Sequence, residues 1–544
     1  MWSQTYFLFG NNLAISALIA AVPIFTLLLL LGVLRKPAWI AGFAGLAISL
    51  VLAVAGYHMP LSLALSSAAH GAAFGLFPIS WIVFWAIALF RLTVDTGKFE
   101  IIKESLGRLT SDRRMQALLI AFAFGAFIEG ASGFGTPVAV AAAMLTGLGF
   151  PPLRAAAICL LANTAPVAFG SIGIPIVTLA GITGLPLDKL SAAAGRLCAP
   201  VSLFIPAYLV LAVGGIPALQ GAWLPALVAG VSFASTQYLM SNFVGPQLTD
   251  ILAAIVTMVA LVGLSRVWKP KDGDLFLNDA TETAVVADEQ KATPVNTSQV
   301  LYAWMPYALL VVSVLLWGFK PFQNQLNLFS VNFQWPMLHD LVLRMPPITS
   351  KPSPYHAIYS FNWLSASGTS CMVATLLSAL ALRVSLSQFI TVILSTCRQL
   401  FLPTVTVASV LAMAFLLNYS GATSTYGMAF ASTGVIFPFF SAILGWLGVF
   451  LTGSDTSANA LFGNLQVVTA TRLGLDPVLI AATNSVGGVM GKMISLQTIS
   501  VAAAATRMST QDQSQLFRFT LRHSILLVSV VGCLAMLYAY VLHL

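Results

Sequence analysis

Residues 129–137 read EGASGFGTP, a carboxylate followed by a run of small residues and glycines. The preceding residues 115–128, MQALLIAFAFGAFI, carry no charge, and neither do residues 138–150, VAVAAAMLTGLGF. An uninterrupted apolar helix would satisfy its own backbone in a bilayer. Here a charge and helix-breaking glycines sit between two apolar arms. A backbone break inside hydrocarbon costs several kcal/mol per unsatisfied group, so it survives only against protein or a polar cavity. The stretch therefore predicts a re-entrant hairpin near 115–149, with its tip at a functional site.

Composition supports a membrane setting. Of the 544 residues, 58% are hydrophobic and only 8% charged, and the mean hydropathy is +0.91. Soluble domains are about 45–50% apolar and about 25% charged. Apolar runs of about 20 residues, enough to span a bilayer, recur along the chain. No short alternating segments of the barrel kind are visible. The class is an all-α polytopic membrane protein with about 12–14 spans. The net charge of +8 comes from basic residues between spans and implies no nucleic-acid partner. Cys159, Cys198, Cys371, Cys397 and Cys533 show no paired or zinc spacing and read as small apolar packers. The six histidines form no metal-ligand motif, so neither a metal nor a cofactor is expected.

Spans are predicted at 13–34, 38–56 and about 75–94. An amphipathic basic segment, 98–114, should lie along the membrane surface. The hairpin and a broken segment (153–183) follow, then spans at 196–213, 222–241 and 248–266. Residues 267–299 are polar and acidic and read as a cytoplasmic linker. They divide an N-terminal repeat, 1–266, from a C-terminal one, 300–544. The second half has a span near 300–319, a polar loop at 321–360, and spans at 361–382, 400–417, 421–440 and 520–542. Residues 386–399, interrupted by Arg398, are left unassigned. Arg35, Lys36, Arg266, Arg383, Arg507, Arg518 and Arg522 should be cytoplasmic, leaving both termini outside. The uncharged start of the chain reads as a retained span rather than a cleaved leader.

The opening pattern returns after the linker. Residues 446–464, WLGVFLTGSDTSANALFGN, predict a second hairpin near 440–472. Broken segments follow each: LLANTAPVAFGSIGIP at 160–175 and AATNSVGGVMGKMISLQ at 481–497, the latter within a broken helix near 477–505. Paired, Gly-interrupted apolar segments in corresponding places point to a transporter binding site. Half-helix N-termini suit a substrate carboxylate. Glu129 and Asp455 are read as occupying equivalent places and as carrying a coupling proton, against the alternative of structural salt bridges or caps. Ser132, Gly133, Asn163, Thr164, Ser457, Asn459, Asn484 and Ser485 are the predicted substrate-holding groups, with Asn163-Thr164 paired to Asn484-Ser485. Lys492 is a counter-charge for the substrate, a partner of Glu129 or Asp455 in the empty state, or a snorkelling interface residue. Arg154 reads as an interfacial anchor, and Arg91, Arg398 and Arg472 as interface or loop charges. No HExxH, P-loop or nucleophile–base spacing supports an enzyme.

Five stretches resemble the bacterial L-lactate permease family, which includes glycolate permeases. They are GAFIEGASGFGTPVAVAAAMLTGLGF, NTAPVAFGSIGIPI, NYSGATSTYGMAFASTG, GWLGVFLTGSDTSANALFGNLQ and NSVGGVMGKMIS. The resemblance implies an inner-membrane symporter that moves L-lactate, D-lactate or glycolate with protons. It also implies an ion-transporter-superfamily-like fold with inverted repeats, each with a re-entrant hairpin and a broken helix. Leu496 departs from the proline the resemblance leads one to expect, which would soften the break after Lys492. Sodium remains the alternative coupling ion, because unwound carbonyls with Ser, Asn and Thr groups suit it as well. Partners are a small monocarboxylate and the bilayer; oligomeric state is not legible.

Overall fold

The computed structural model describes residues 1–8, 10, 12–133, 135–268 and 296–542. Most of the predicted linker, 269–295, therefore lies outside the described residues. Among those described, ten helices are long and apolar enough to cross a membrane, or twelve if two sharply bent pairs count as single spans. One bent pair is the first span, Leu13–Ala20 with Val22–Val33 (43°). The other is the first broken helix, Pro152–Ala162 with Val167–Thr183 (66°).

Both hairpins are present. The first has arms Arg113–Ala131 and Thr136–Gly147. The second has arms Phe437–Thr452 and Asp455–Leu473, turning at Gly453-Ser454. Gly453 takes φ +73, and the Ser454 side chain caps the helix after it by accepting from Ser457 N. The second broken helix runs Pro477–Lys492 and Leu496–Thr506. Leu496, where the resemblance leads one to expect proline, is the first residue of the new helix, and Ser495 caps it by accepting from Thr498 N. A serine cap replaces what a proline at that position would pre-organise.

Several spans differ from expectation. Residues 61–74, LSLALSSAAHGAAF, are helical and continue through Phe77-Pro78 into a run ending at Asp95. Its serines and glycines lower the hydropathy, yet they permit close packing: a Cβ on Gly71 would sit 2.3 Å from Leu411 O. Arg398 interrupts nothing, since Leu386–Ser420 is one helix. The predicted 421–440 span is not a span of its own. Ala422–Phe430 is followed by a short turn with Gly434 at φ +61, then by the hairpin arm from Phe437. Leu187–Phe243 has non-helical backbone at Gly214-Gly215, and among the described residues Thr249–Val267, Thr297–Gly318, Ser367–Ala381 and Leu386–Ser420 follow it before the second hairpin.

The polar loop is not structureless. Strand Val331–Gln334 pairs antiparallel with Ile358–Phe361, while Val342–Arg344 pairs with Ser353–Pro354 and, in parallel, with Trp2–Ser3. On the other face, helix Lys98–Gly107 buries Phe99, Ile102 and Leu106 as an amphipathic surface helix should. Arg114, expected at that surface, is instead wholly buried, paired with Asp112 at 2.8 Å and donating to Ala218 O. Cys159, Cys198 and Cys371 are buried, but Cys397 and Cys533 are exposed. Exposed large side chains such as Phe204, Trp223 and Val259 cover the flanks of spans, where lipid takes the place of a core partner.

Candidate functional site

The hairpin tips and helix breaks meet through side chains from opposite ends of the sequence. Lys492 Nζ, the last residue before the second break, lies 2.8 Å from Glu129 Oε1, one turn before the first tip. Both are buried, at 8% and 2% exposure, so this is no snorkelling lysine. Glu129 Oε2 has no hydrogen-bond partner among the described residues. A second tie joins the halves: Asn459 Nδ2 donates to Pro175 O at 3.1 Å.

Around Asp455 the polar groups form a chain. Ser485 Oγ donates to Asp455 Oδ2 at 2.6 Å, and Asn459 Nδ2 lies 3.4 Å from the same oxygen. Asn484 Nδ2 donates to Asn459 Oδ1 at 2.9 Å, and Gln466 Nε2 donates to Asn484 Oδ1 at 3.0 Å. Asp455 Oδ1 is unpartnered among the described residues. Two glycines make room for the acids. A Cβ on Gly170 would lie 2.6 Å from Glu129 Oε1, and one on Gly488 would lie 2.4 Å from Asp455 Oδ1. Each acid is thus seated against a glycine of the broken helix in its own half. Gly170→Ala and Gly488→Ala should each destabilise the protein by about 1–3 kcal/mol through overpacking, read as a lowered melting temperature of the detergent-solubilised chain. An unchanged melting temperature would mean the acids sit elsewhere.

Glu129 and Asp455 are not equivalent in place. Glu129 belongs to the arm entering its tip, whereas Asp455 is the first residue of the arm leaving its tip, in the first turn where the helix dipole favours a carboxylate. Nor does Asn163 match Asn484. Asn163 caps the first half-helix at its break, and the structural counterpart at the second break is Met493. Asn484 sits in mid-helix, about two and a half turns before Met493.

The predicted ligand groups separate by their partners. The Ser132 hydroxyl is taken by Ile128 O and Thr136 Oγ1, and that of Thr164 by Leu161 O. Asn459, Asn484 and Ser485 are bound into the Asp455 network. Gly133, at φ +60, lets the tip pass so close to Ser171 that a Cβ there would meet its Oγ at 2.0 Å. Ser457 contributes its backbone N–H to the Ser454 cap. Asn163 differs from the others: it is 6% exposed, and both amide atoms lack a partner among the described residues. At this first break Ser171, Ile172 and Gly173 take φ +47, +60 and +74 in succession. Left-handed backbone is disfavoured by roughly 1–2 kcal/mol for each non-glycine residue.

Sequence reasoning missed Asp250. It lies in the first turn of Thr249–Val267, is 1% exposed, and has no well-formed hydrogen bond to either oxygen. A Cβ on Gly130 would come within 3.0 Å of Asp250 Cβ, so it adjoins Glu129. Gln237 flanks it, held by Ser202 and by Ala165 O at the first break. The available signal was an aspartate opening an apolar run, which reads as an ordinary cap. Among the described residues around the tips, three carboxylates face one ammonium.

A large cavity lies elsewhere, at about 1600 Å³. Its walls include His70, Arg344, Tyr355, Asn418, Asn464 and Arg472, but neither Glu129, Asp455 nor Lys492. The first tip packs against helix Leu496–Thr506 through Gly135 and Val501, and the second against the same helix through Gly453 and Gln497. One cluster could hold a metal ion: His339, Asp340 and His356, whose ligand atoms lie within 4.8 Å of one another at the polar loop. The chain folding that joins positions 340 and 356 hides it from any sequence motif.

Comparison with known proteins fits this architecture. A family model described as L-lactate permease matches residues 16–542. The chain is 44% identical to the glycolate permease GlcA of Escherichia coli K12, over 99% of this chain and 98% of the relative. It is 45% identical to the L-lactate permease of Bacillus subtilis 168, over 99% of each. The structure of Neisseria gonorrhoeae MtrF, from a class of antimetabolite efflux pumps, shares the fold at a TM-score of 0.50 and 12% identity, covering 94% of this chain and 97% of that one.

Proposed function

The chain belongs to the L-lactate permease family, and from that membership we propose that it carries L-lactate, D-lactate or glycolate across the bacterial inner membrane together with a proton. It is a transporter and not an enzyme. The observation that carries the mechanism is the buried Lys492–Glu129 pair, which bridges the second break and the first tip. A substrate carboxylate offers Lys492 the same partner chemistry. When it arrives, Glu129 must leave the pair, and an unpaired carboxylate in a dry site is sustained only with a proton. Proton and anion then enter together with no net change of buried charge. Asp455, beside the same tips, is the second acid of the pathway. The two amide atoms of Asn163, without a partner among the described residues, support a role for it in meeting the substrate's oxygen groups.

The two hairpin-plus-broken-helix units form inverted repeats divided at the linker. The polar loop and both termini lie outside, and the linker lies in the cytoplasm. In proteoliposomes, an inward proton gradient should drive lactate accumulation at least tenfold above the external level. An equal sodium gradient without a pH difference should drive none. Accumulation on sodium alone would replace the proton with sodium.

A further inference from the structure

The large cavity is not part of the paired-tip site, yet its chemistry is suited to the same kind of ligand. Arg344 and Arg472 both line it, as do His70 and His356; His356 is bonded to Asp340 at 2.6 Å, but no aspartate or glutamate lines the cavity itself. Neither arginine has a carboxylate within ion-pair distance among the described residues. Arg344 stacks its guanidinium 4.9 Å from the centre of the Tyr355 ring, with its buried Nε unpartnered. His70, 6% exposed and stacked on Trp335 at 4.8 Å, has an Nδ1 without a partner. A concave, partly apolar wall with uncompensated positive charge concentrates small anions, and unpaired guanidinium groups are matched to carboxylates.

The cavity also points at the central site. Arg472 stands in the last turn of helix Asp455–Leu473, and Asn464 lines the wall about 12 Å further down that helix. About 7 Å beyond Asn464 is Asn459, which ties this helix to Pro175 O. Between them, Gly463 packs so tightly on Leu179 that a Cβ would meet the leucine at 2.7 Å. The seam between helices 170–183 and 455–473 thus separates the cavity floor from Asp455.

We propose that this cavity is an antechamber that holds a monocarboxylate anion loosely between Arg344 and Arg472 before the seam at Gly463 and Asn459 opens to the tips. The proposal rests on the transport reading above. It adds a second, weaker and charge-selective site with its own arginines. Because the two guanidinium groups grip only the carboxylate, this site does not distinguish L-lactate from D-lactate.

The test uses line broadening of carboxyl-labelled L-lactate by the purified full chain in detergent, against protein-free micelles and neutral lactamide. Lys492→Met, which disables the central site, should retain weak binding in the millimolar range for both enantiomers. Adding Arg344→Gln and Arg472→Gln should weaken that residual binding at least tenfold. Arg472→Gln alone, at an exposed helix end where folding is not at stake, should weaken it at least threefold. Residual binding that ignores both arginines, or its absence in Lys492→Met, overturns the antechamber. Failure of wild-type vesicles to take up any monocarboxylate would instead overturn the transport reading, and is measured separately.

Discussion

Lys492→Met is expected to lower pH-driven lactate uptake at least 100-fold while the protein still reaches the membrane. Methionine matches the length of the lysine stem and can fill the same buried space, so packing at the second break is kept. What disappears is the ammonium 2.8 Å from Glu129, the one cation among the described residues around the tips. Removing one partner of a buried pair typically costs about 3–5 kcal/mol, because the other charge is left uncompensated. Glu129 escapes most of that penalty by taking a proton, which is why the fold should survive. A substrate anion has no such escape, since it must enter as an anion and finds nothing to neutralise it. A 100-fold loss corresponds to about 2.7 kcal/mol of binding or barrier, well inside what a buried charge contact can supply. The measurement is initial uptake of labelled lactate in vesicles normalised to inserted protein. Wild-type rates in this variant would remove Lys492 from the substrate's path.

Glu129→Gln should separate exchange from accumulation. Glutamine keeps the shape of the side chain against Gly170 but cannot pick up or release a proton. Lys492 is then free for the substrate carboxylate, so counterflow of labelled against unlabelled lactate should stay within a few-fold of wild type. Net uptake against a gradient should fall at least 50-fold under an imposed pH difference, since no proton travels with the anion. Asp455→Asn provides the comparison. Its carboxylate is already tied to Ser485 and Asn459, so loss of accumulation there together with loss of counterflow marks a positioning role. Loss of accumulation alone marks a second proton carrier. If both variants accumulate lactate as wild type does under a proton gradient, coupling does not run through these acids.

The hairpins and breaks were legible because glycines and charges inside apolar runs are costly in a bilayer unless they face a polar site. EGASGFGTP and TGSDTSAN are conspicuous against their surroundings, and the structure turns the chain at both. The helix at 61–74 was not legible, because serine and glycine lower hydropathy for the same reason that they let helices touch. Arg398 misled in the opposite sense, since a long side chain at a helix flank can reach out of hydrocarbon without bending the backbone. The equivalence of Glu129 and Asp455 failed on geometry: proximity to a tip in sequence does not say on which side of the turn a residue falls. Asp250 and Gln237 come to the site from a different part of the chain. Their contribution depends on tertiary packing that no local pattern encodes. The hydroxyls of Ser132 and Thr164 were sensible ligands by type, but the backbone carbonyls of their own segments claim them first.

The two helix breaks are built differently. The second spans only 493–495 and is closed at once by the Ser495 cap. The first runs from Asn163 to Gly173, with three left-handed residues in a row and an asparagine holding no bond through its side chain. Such a joint is spring-like where its counterpart is a latch. The two halves should therefore contribute unequally when the site opens, and amide hydrogen exchange should be faster at 163–173 than at 493–495.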